Sequence, residues 1–285
     1  MKTNNYLDVA LDVQEDLRKG FMARSWVQAT MPHSRPKELT FIRKNGEYTM
    51  MMTGHPDCGL PYGSIPRLLM SWLTTEAVKT KSPTVELGKS LRSFMTALDM
   101  KASGGKTGSI TMLKDQMKRL FTCHVSLTRN AKTNFQTQNI TPIKSANLWW
   151  NPSDPEQLSL FNSTVTLSQD FFAEIIDRPV VFRLKTLQLL KSSSLAVDLY
   201  IWITYRNSYT QSRSYIPWEM LQLQFGANYP ETTRGKLDFK RNFLATLKKV
   251  AIAYPEAKKL EWNSKQLIFI PGYPDVPKLI SIPKP

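Results

Sequence analysis

Apolar residues recur at every third or fourth position along several stretches of the chain, and at every second position in shorter ones between them. Leu68, Leu69, Trp72, Leu73 and Val78 form a helical stripe, with Ser64 placed as N-cap and Pro66 in the first turn. Ser90 caps a second helix that carries Leu91, Phe94, Met95 and Leu98 on one face. A third, SITMLKDQMKRLF from Ser109, presents Ile110, Leu113, Met117, Leu120 and Phe121. Alternation predicts strands at 84–87, at CHVSLTRN (123–130) with a polar return to about 140, and at NSTVTL from Asn162. LTFIRKNGEYTMMM (39–52) reads as a hairpin about Asn45-Gly46. Ahead of all these, Leu7, Leu11 and Leu17 among Asp8, Asp12, Glu15 and Asp16 predict a short amphipathic arm.

The second half follows the same plan. Residues 192–209 predict a Ser-capped helix with Leu195, Leu199, Trp202 and Ile203 inward, and Tyr215 and Ile216 a short strand. Pro217 opens WEMLQLQFG, which Gly226 ends, and a polar loop leads to a long helix over 235–250. Two strands about Asn263-Ser264 close the unit. Starts at 64 and 194, 84 and 214, 108 and 235 keep an offset of about 130 residues, the mark of a repeated supersecondary unit. Three helices, a short strand and a hairpin are the parts of a winged-helix domain, a helix-turn-helix variant. The expected fold is therefore α+β: an N-terminal helical arm (1–37) and two tandem winged-helix domains (38–190 and 191–285) with β-hairpin wings.

Charge narrows the partner. The chain carries a net charge of +15. The excess gathers in residues 101–150 and 181–285, on either side of an acidic stretch at 151–180. Such a field attracts a polyanion. With no apolar run long enough to span a bilayer and no basic amphipathic helix standing apart from a packed domain, the expected partner is nucleic acid and not a membrane. The third helix of each unit is where such a fold reads DNA. In 235–250, Leu237, Phe243, Leu244, Leu247 and Val250 are the expected buried stripe. Lys236, Lys240, Arg241, Lys248 and Lys249, with Arg234 ahead, would face phosphate or guanine edges, and Asn242 adenine. In 109–121 the corresponding set is Lys114, Lys118 and Arg119, with Lys106, Thr107 and Ser109 at the helix entry.

Enzymatic motifs are weak. GGKTG (104–108) looks like a phosphate loop, but Met100 stands where a Walker loop needs glycine and the preceding segment is helical. His33, His55 and His124 supply no metal cluster, and His55-x-x-Cys58 is half of a zinc pair without a second half. Cys123 and His124 adjoin in a strand and so point apart. Two cysteines, paired or not, fit a reducing, cytoplasmic compartment. No cofactor and no catalytic set are expected. Gln157-Leu158-Ser159-Leu160-Phe161 has the form of the peptide that bacterial sliding clamps capture. The competing reading makes Leu158, Leu160 and Phe161 alternating, buried strand residues, and the spacing favours it.

GFMARSWVQATMPH, GLPYGSIPRLLMSWLTTEAVKTKS, LGKSLRSFMTALDM, GSITMLKDQMKRLFTC and STVTLSQDFF, in that order, resemble the plasmid-encoded replication initiators of the RepA type. The resemblance runs from Gly20 to the second wing. It implies tandem winged-helix domains on directly repeated origin DNA (iterons), melting of an adjacent AT-rich region, and recruitment of the host's initiator and replicative helicase. It also implies exchange between monomers and dimers, plasmid copy control, and a bacterial cytoplasm as the setting. A winged-helix transcriptional repressor without initiation activity is the alternative.

Overall fold

Two kinds of sheet organise the chain, small ones that recur in each half and others that occur once. The structure, a computed structural model, describes residues 18–131, 134–139, 141–151, 154–159, 161–226 and 228–277. The arm positions Leu7, Leu11 and Leu17, with the acidic residues among them, lie outside the described residues, and so does Leu160. The described part of 1–37 is built into the body. Strand β1 (Lys19–Met22) pairs antiparallel with the distant β9 (Val180–Arg183), and α1 (Arg24–Gln28) buries Trp26 and Val27. The predicted hairpin is present as β2 (Thr40–Asn45) and β3 (Tyr48–Thr53), with Asn45 opposite Tyr48 and Met50 and Met52 buried in alternation.

Helix α2 (Ser64–Thr80) starts one residue earlier than a Ser64 cap requires. Gly63, in a left-handed turn, occupies the cap position and no side chain caps the helix, so Ser64 lies in its first turn. Strand β4 (Thr84–Gly88) follows, then α3 (Leu91–Ala97), whose first turn is capped by Ser90 Oγ accepting from the Ser93 N–H. Helix α4 (Ser109–Thr122) buries Leu113, Met117 and Leu120. The next hairpin, β5 (His124–Ala131) and β6 (Asn134–Asn139), extends the first one into a four-stranded sheet of order β2-β3-β5-β6. It is a later pair, β7 (Ile143–Asn147) and β8 (Ser163–Leu167), that joins β4, in the order β4-β8-β7. Helices α5 (Gln169–Asp177) and α6 (Leu184–Leu190) flank β9 and lead into the second half.

There α7 (Ser194–Asn207), capped by Ser193, buries Leu195, Leu199, Trp202 and Ile203. Strand β10 (Ser214–Pro217), α8 (Trp218–Phe225), α9 (Thr233–Ala253), β11 (Glu261–Trp262) and β12 (Gln266–Phe269) complete it. Their sheet has the order β10-β12-β11, the same threading as β4-β8-β7. Helix, strand, two helices and two returning strands thus occur twice. The β2-β3-β5-β6 sheet belongs to the first half alone.

One hydrophobic core runs through both halves, and a buried ionic knot crosses between them. Arg67 of α2 donates from Nε and Nη2 to the two Asp198 oxygens of α7, each at 2.7 Å. Its remaining donors reach the carbonyls of Met31, Pro32 and Gly63. His33 Nε2 donates to Asp198 Oδ2 at 2.7 Å. Burial would raise the Asp198 carboxyl, but the Arg67 charge and these hydrogen bonds hold it below its usual value. Removing Arg67 or Asp198 would strand the other's charge in the core, at a cost of about 3–5 kcal/mol.

Candidate nucleic-acid interface

Helix α9 forms because its entry is capped and one of its faces is aromatic. Thr232 Oγ1 accepts from the Gly235 N–H, and Phe239, Phe243, Leu247 and Val250 repeat at helical spacing against the core. Phe243 packs edge-on against Trp218 at 5.7 Å between centroids and on Phe225 at 6.0 Å. Leu237 does not join this stripe. It is 60% exposed, because Phe239 takes the inward position of that turn and a residue two places earlier points to the opposite side.

The outward face carries Arg234, Arg241, Lys248 and Lys249, all exposed. Asp238 sits between the two arginines and accepts from Arg234 Nε at 3.1 Å and Arg241 Nη2 at 2.7 Å. The other predicted residues have structural engagements. Lys236 pairs with Glu219 of α8 at 2.5 Å, and that hydrogen bond and charge hold the Glu219 carboxyl below its usual value. Lys240 lies over the Trp218 ring at 4.9 Å and donates to the Asn263 carbonyl at 2.9 Å, fastening the β11–β12 turn to the helix. Asn242 is exposed and donates to Tyr229 Oη at 2.9 Å.

At α4 the entry loop is closed on itself. Gly105 has a φ of +89°, and a Cβ on Gly108 would lie 2.2 Å from the Gly104 carbonyl oxygen, so the GGKTG glycines serve a tight turn. Ser103 Oγ accepts from the Ser109 N–H at 3.0 Å, and Ser109 Oγ donates to the Lys101 carbonyl at 2.6 Å while accepting from the Ser103 N–H. The Ser109 hydroxyl is therefore spent on the turn and is not presented to an anion, which corrects its expected role. Lys106, Thr107 and Lys118 are exposed and Lys114 is half-buried. Arg119 is a second correction. It is buried, because the helix face that packs Leu120 and Gln116 also turns it inward; its Nε donates to Asp115 at 2.7 Å and its guanidinium lies over the Tyr62 ring.

Three cations that sequence patterning did not single out meet near this entry. Arg92, Lys101 and Lys191 line an open cleft of about 750 Å³, with Lys191 of the second half bonded to the Asp99 carboxylate and carbonyl of the first. No local pattern announces a cluster assembled from residues so far apart in sequence.

The described residues of QLSLF are not strand. Gln157, Leu158 and Ser159 lie in irregular chain ahead of β8, tied down by the Ser159 N–H donating to the Lys89 carbonyl at 2.9 Å. Leu158 is 73% and Phe161 62% exposed, and Phe161 meets the exposed Trp149 ring at 5.4 Å. The buried-strand expectation fails for these two, because the pairing partner of β8 on that side ends at Asn147 and the chain must loop out. Elsewhere Cys58 and Cys123 are both free. Burial pushes the Cys123 thiol up to about 12, and His124 beside it is exposed. Among the described residues no His, Cys, Asp or Glu cluster could hold a metal, and no helix is long and apolar enough to cross a membrane.

The family model described as the plasmid-encoded RepA protein matches residues 60–218, more than half of the chain. The chain belongs to this family. The RepA match opens in the loop before α2 and closes at the start of α8, so it contains α4, the basic cleft and the exposed loop, whereas α9 lies beyond it. A crystal structure of domains 2 and 3 of RctB is similar over 88% of this chain and 98% of that one, with a TM-score of 0.54 at 11% identity. A second RctB structure, of residues 155–483, covers 85% of this chain and 93% of its own, with a TM-score of 0.49 at 12% identity. The first likeness concerns the fold, and 88% is more of this RepA-family chain than either half holds. No protein with a curated description matches the chain.

Proposed function

We propose that this member of the RepA family is a plasmid replication initiator that grips repeated origin DNA through two winged-helix units, with α4 and α9 as the reading helices. The observation that carries the reading is the repeated threading, β4-β8-β7 and β10-β12-β11, each with a helix bearing exposed lysine or arginine, α4 or α9, between its first strand and its returning pair. Two such helices in one chain raise each other's effective concentration on a composite site, so either alone binds weakly. The binding energy then supports bending or opening of an adjacent AT-rich segment, where host initiator and helicase assemble. No bond is broken in this scheme. Exchange between monomer and dimer would set how much protein is available to the origin.

The purified chain, titrated onto duplexes carrying the direct repeats beside its gene, should lose affinity steeply with salt, as expected when lysines and arginines displace counterions. Affinity that is flat in salt, or nicking of supercoiled origin DNA in Mg²⁺, would sink the reading. A plasmid carrying the gene and its flanking repeats should replicate in a host lacking other origins; a protein that only silences its promoter is the repressor instead.

The exposed Leu158 and Phe161 favour a second role for the same protein, display of QLSLF to a bacterial sliding clamp. A Leu158→Ala/Phe161→Ala chain should still bind the repeats and no longer retain clamp on a sizing column.

A further inference from the structure

The first turns of α9 hold an arrangement that phosphate binding does not explain. Phosphate-gripping patches consist of cations, yet Asp238 sits between Arg234 and Arg241 and bonds to both. Beside them Leu237 leaves 60% of its surface in water, on the face opposite Phe239 and Phe243 and with no part in the core. A carboxylate repels the DNA backbone, so this part of the face is suited to the groove floor, while Lys248 and Lys249 two turns further on are suited to phosphate.

Each feature matches a feature of that floor. A guanidinium fixed on one side by a carboxylate keeps N–H groups free for guanine O6 and N7, and it loses less side-chain freedom on binding than a free arginine does. The only apolar group on the major-groove floor is the thymine methyl. Arg234 and Arg241 lie two turns apart, about 10 Å along the axis, and their shared bond to Asp238 draws the two guanidinium groups closer than that, to about two or three base-pair steps.

We infer that Arg234, Leu237, Asp238 and Arg241 form a base-reading set for two guanines about two or three base pairs apart with a thymine between them. Leu237 reads the methyl group, and Asp238 is a positioning residue that acts through the two arginines. The inference rests on α9 lying in the major groove, as proposed above.

The test uses the full chain and a duplex that it selects from a random-sequence pool. Each thymine of that duplex is replaced in turn by deoxyuridine and each guanine by 7-deazaguanine. One deoxyuridine should weaken binding about fourfold, the equivalent of ~0.8 kcal/mol for one buried methyl-sized group. Leu237→Ala should weaken binding by a similar factor and be indifferent to that deoxyuridine. Two 7-deazaguanines about two or three base pairs apart should weaken the parent, and Asp238→Asn should discriminate less at both while its salt dependence stays unchanged.

The inference is overturned if no single deoxyuridine weakens the parent, or if Leu237→Ala keeps the deoxyuridine effect. It also falls if Leu237→Ala changes self-association without DNA, since the side chain would then serve a protein contact. An Arg241→Ala/Lys248→Ala chain separates the two levels. If it binds as tightly as the parent, α9 is off the DNA and the proposed placement falls too; if it binds weakly while deoxyuridine has no effect, only the base-reading set falls.

Discussion

Arg43 shows how far a residue can depart from its expected place. It is 1% exposed, its Nε donates to the Thr30 carbonyl, and neither terminal nitrogen has a hydrogen-bond partner. Burial pulls its guanidinium down to about 9. Arg43→Met keeps the length and removes the unpaired donors, so urea denaturation should give an unfolding free energy unchanged or raised by about 1–3 kcal/mol. His33 gives a pH signature. Burial lowers it to about 4, against which its Asp198 hydrogen bond works, so the folded protein keeps it neutral where the unfolded chain takes up a proton. Its contribution is complete above the unfolded value near 6.5 and is lost as the pH falls toward 4. The parent should therefore lose about 2 kcal/mol between pH 7 and pH 5 that His33→Gln does not lose, read from urea midpoints. None of this was legible in the sequence. Arg43 stands between Ile42 and Lys44 in an ordinary alternating strand, and nothing local tells that its side of the sheet is closed over.

At the scale of elements the sequence spoke more clearly where a period was long and its boundaries were marked. The Ser90 cap, a serine cap on the helix within 192–209, the hairpin at Gly46 and the turn at Asn263 stand where the pattern places them. Strand pairing over long separations leaves no local trace: 123–130 and its polar return extend the β2–β3 hairpin, whereas β7–β8 is the pair that joins β4. Exposure within helices was legible to about one residue in a turn, which is why Leu237 and Arg119 were misplaced while Lys118 and Lys248 were not. The GGKTG turn yields a prediction here. Ser103→Ala removes the acceptor for the Ser109 N–H and should cost about 1 kcal/mol of stability. Lys118→Ala, on the exposed face of the same helix, should stay within about 0.5 kcal/mol of the parent. Thermal unfolding of the two variants side by side decides it.

For the whole molecule the charge distribution is the feature most readily tested. Lys248 and Lys249 are exposed, and neither has a role in the core. If they meet phosphates, each alanine substitution should lower the slope of log affinity against log salt by about one, uniformly across DNA sequences. A slope that does not move would place that end of α9 away from the backbone. The Lys191–Asp99 contact and the Arg67–Asp198 knot join the halves at two separate places.

The two returning strand pairs, β7–β8 and β11–β12, differ in one respect. The second turns within Asn263 to Lys265, whereas the first leaves its sheet at Asn147 and re-enters at Ser163, and the exposed Trp149, Leu158 and Phe161 all ride on that excursion. Both ends of the excursion are anchored in neighbouring strands of one small sheet, so its contents can lengthen, shrink or be exchanged while the strands stay in register. The duplicated plan thus keeps one return short and gives the other room to carry exposed apolar side chains.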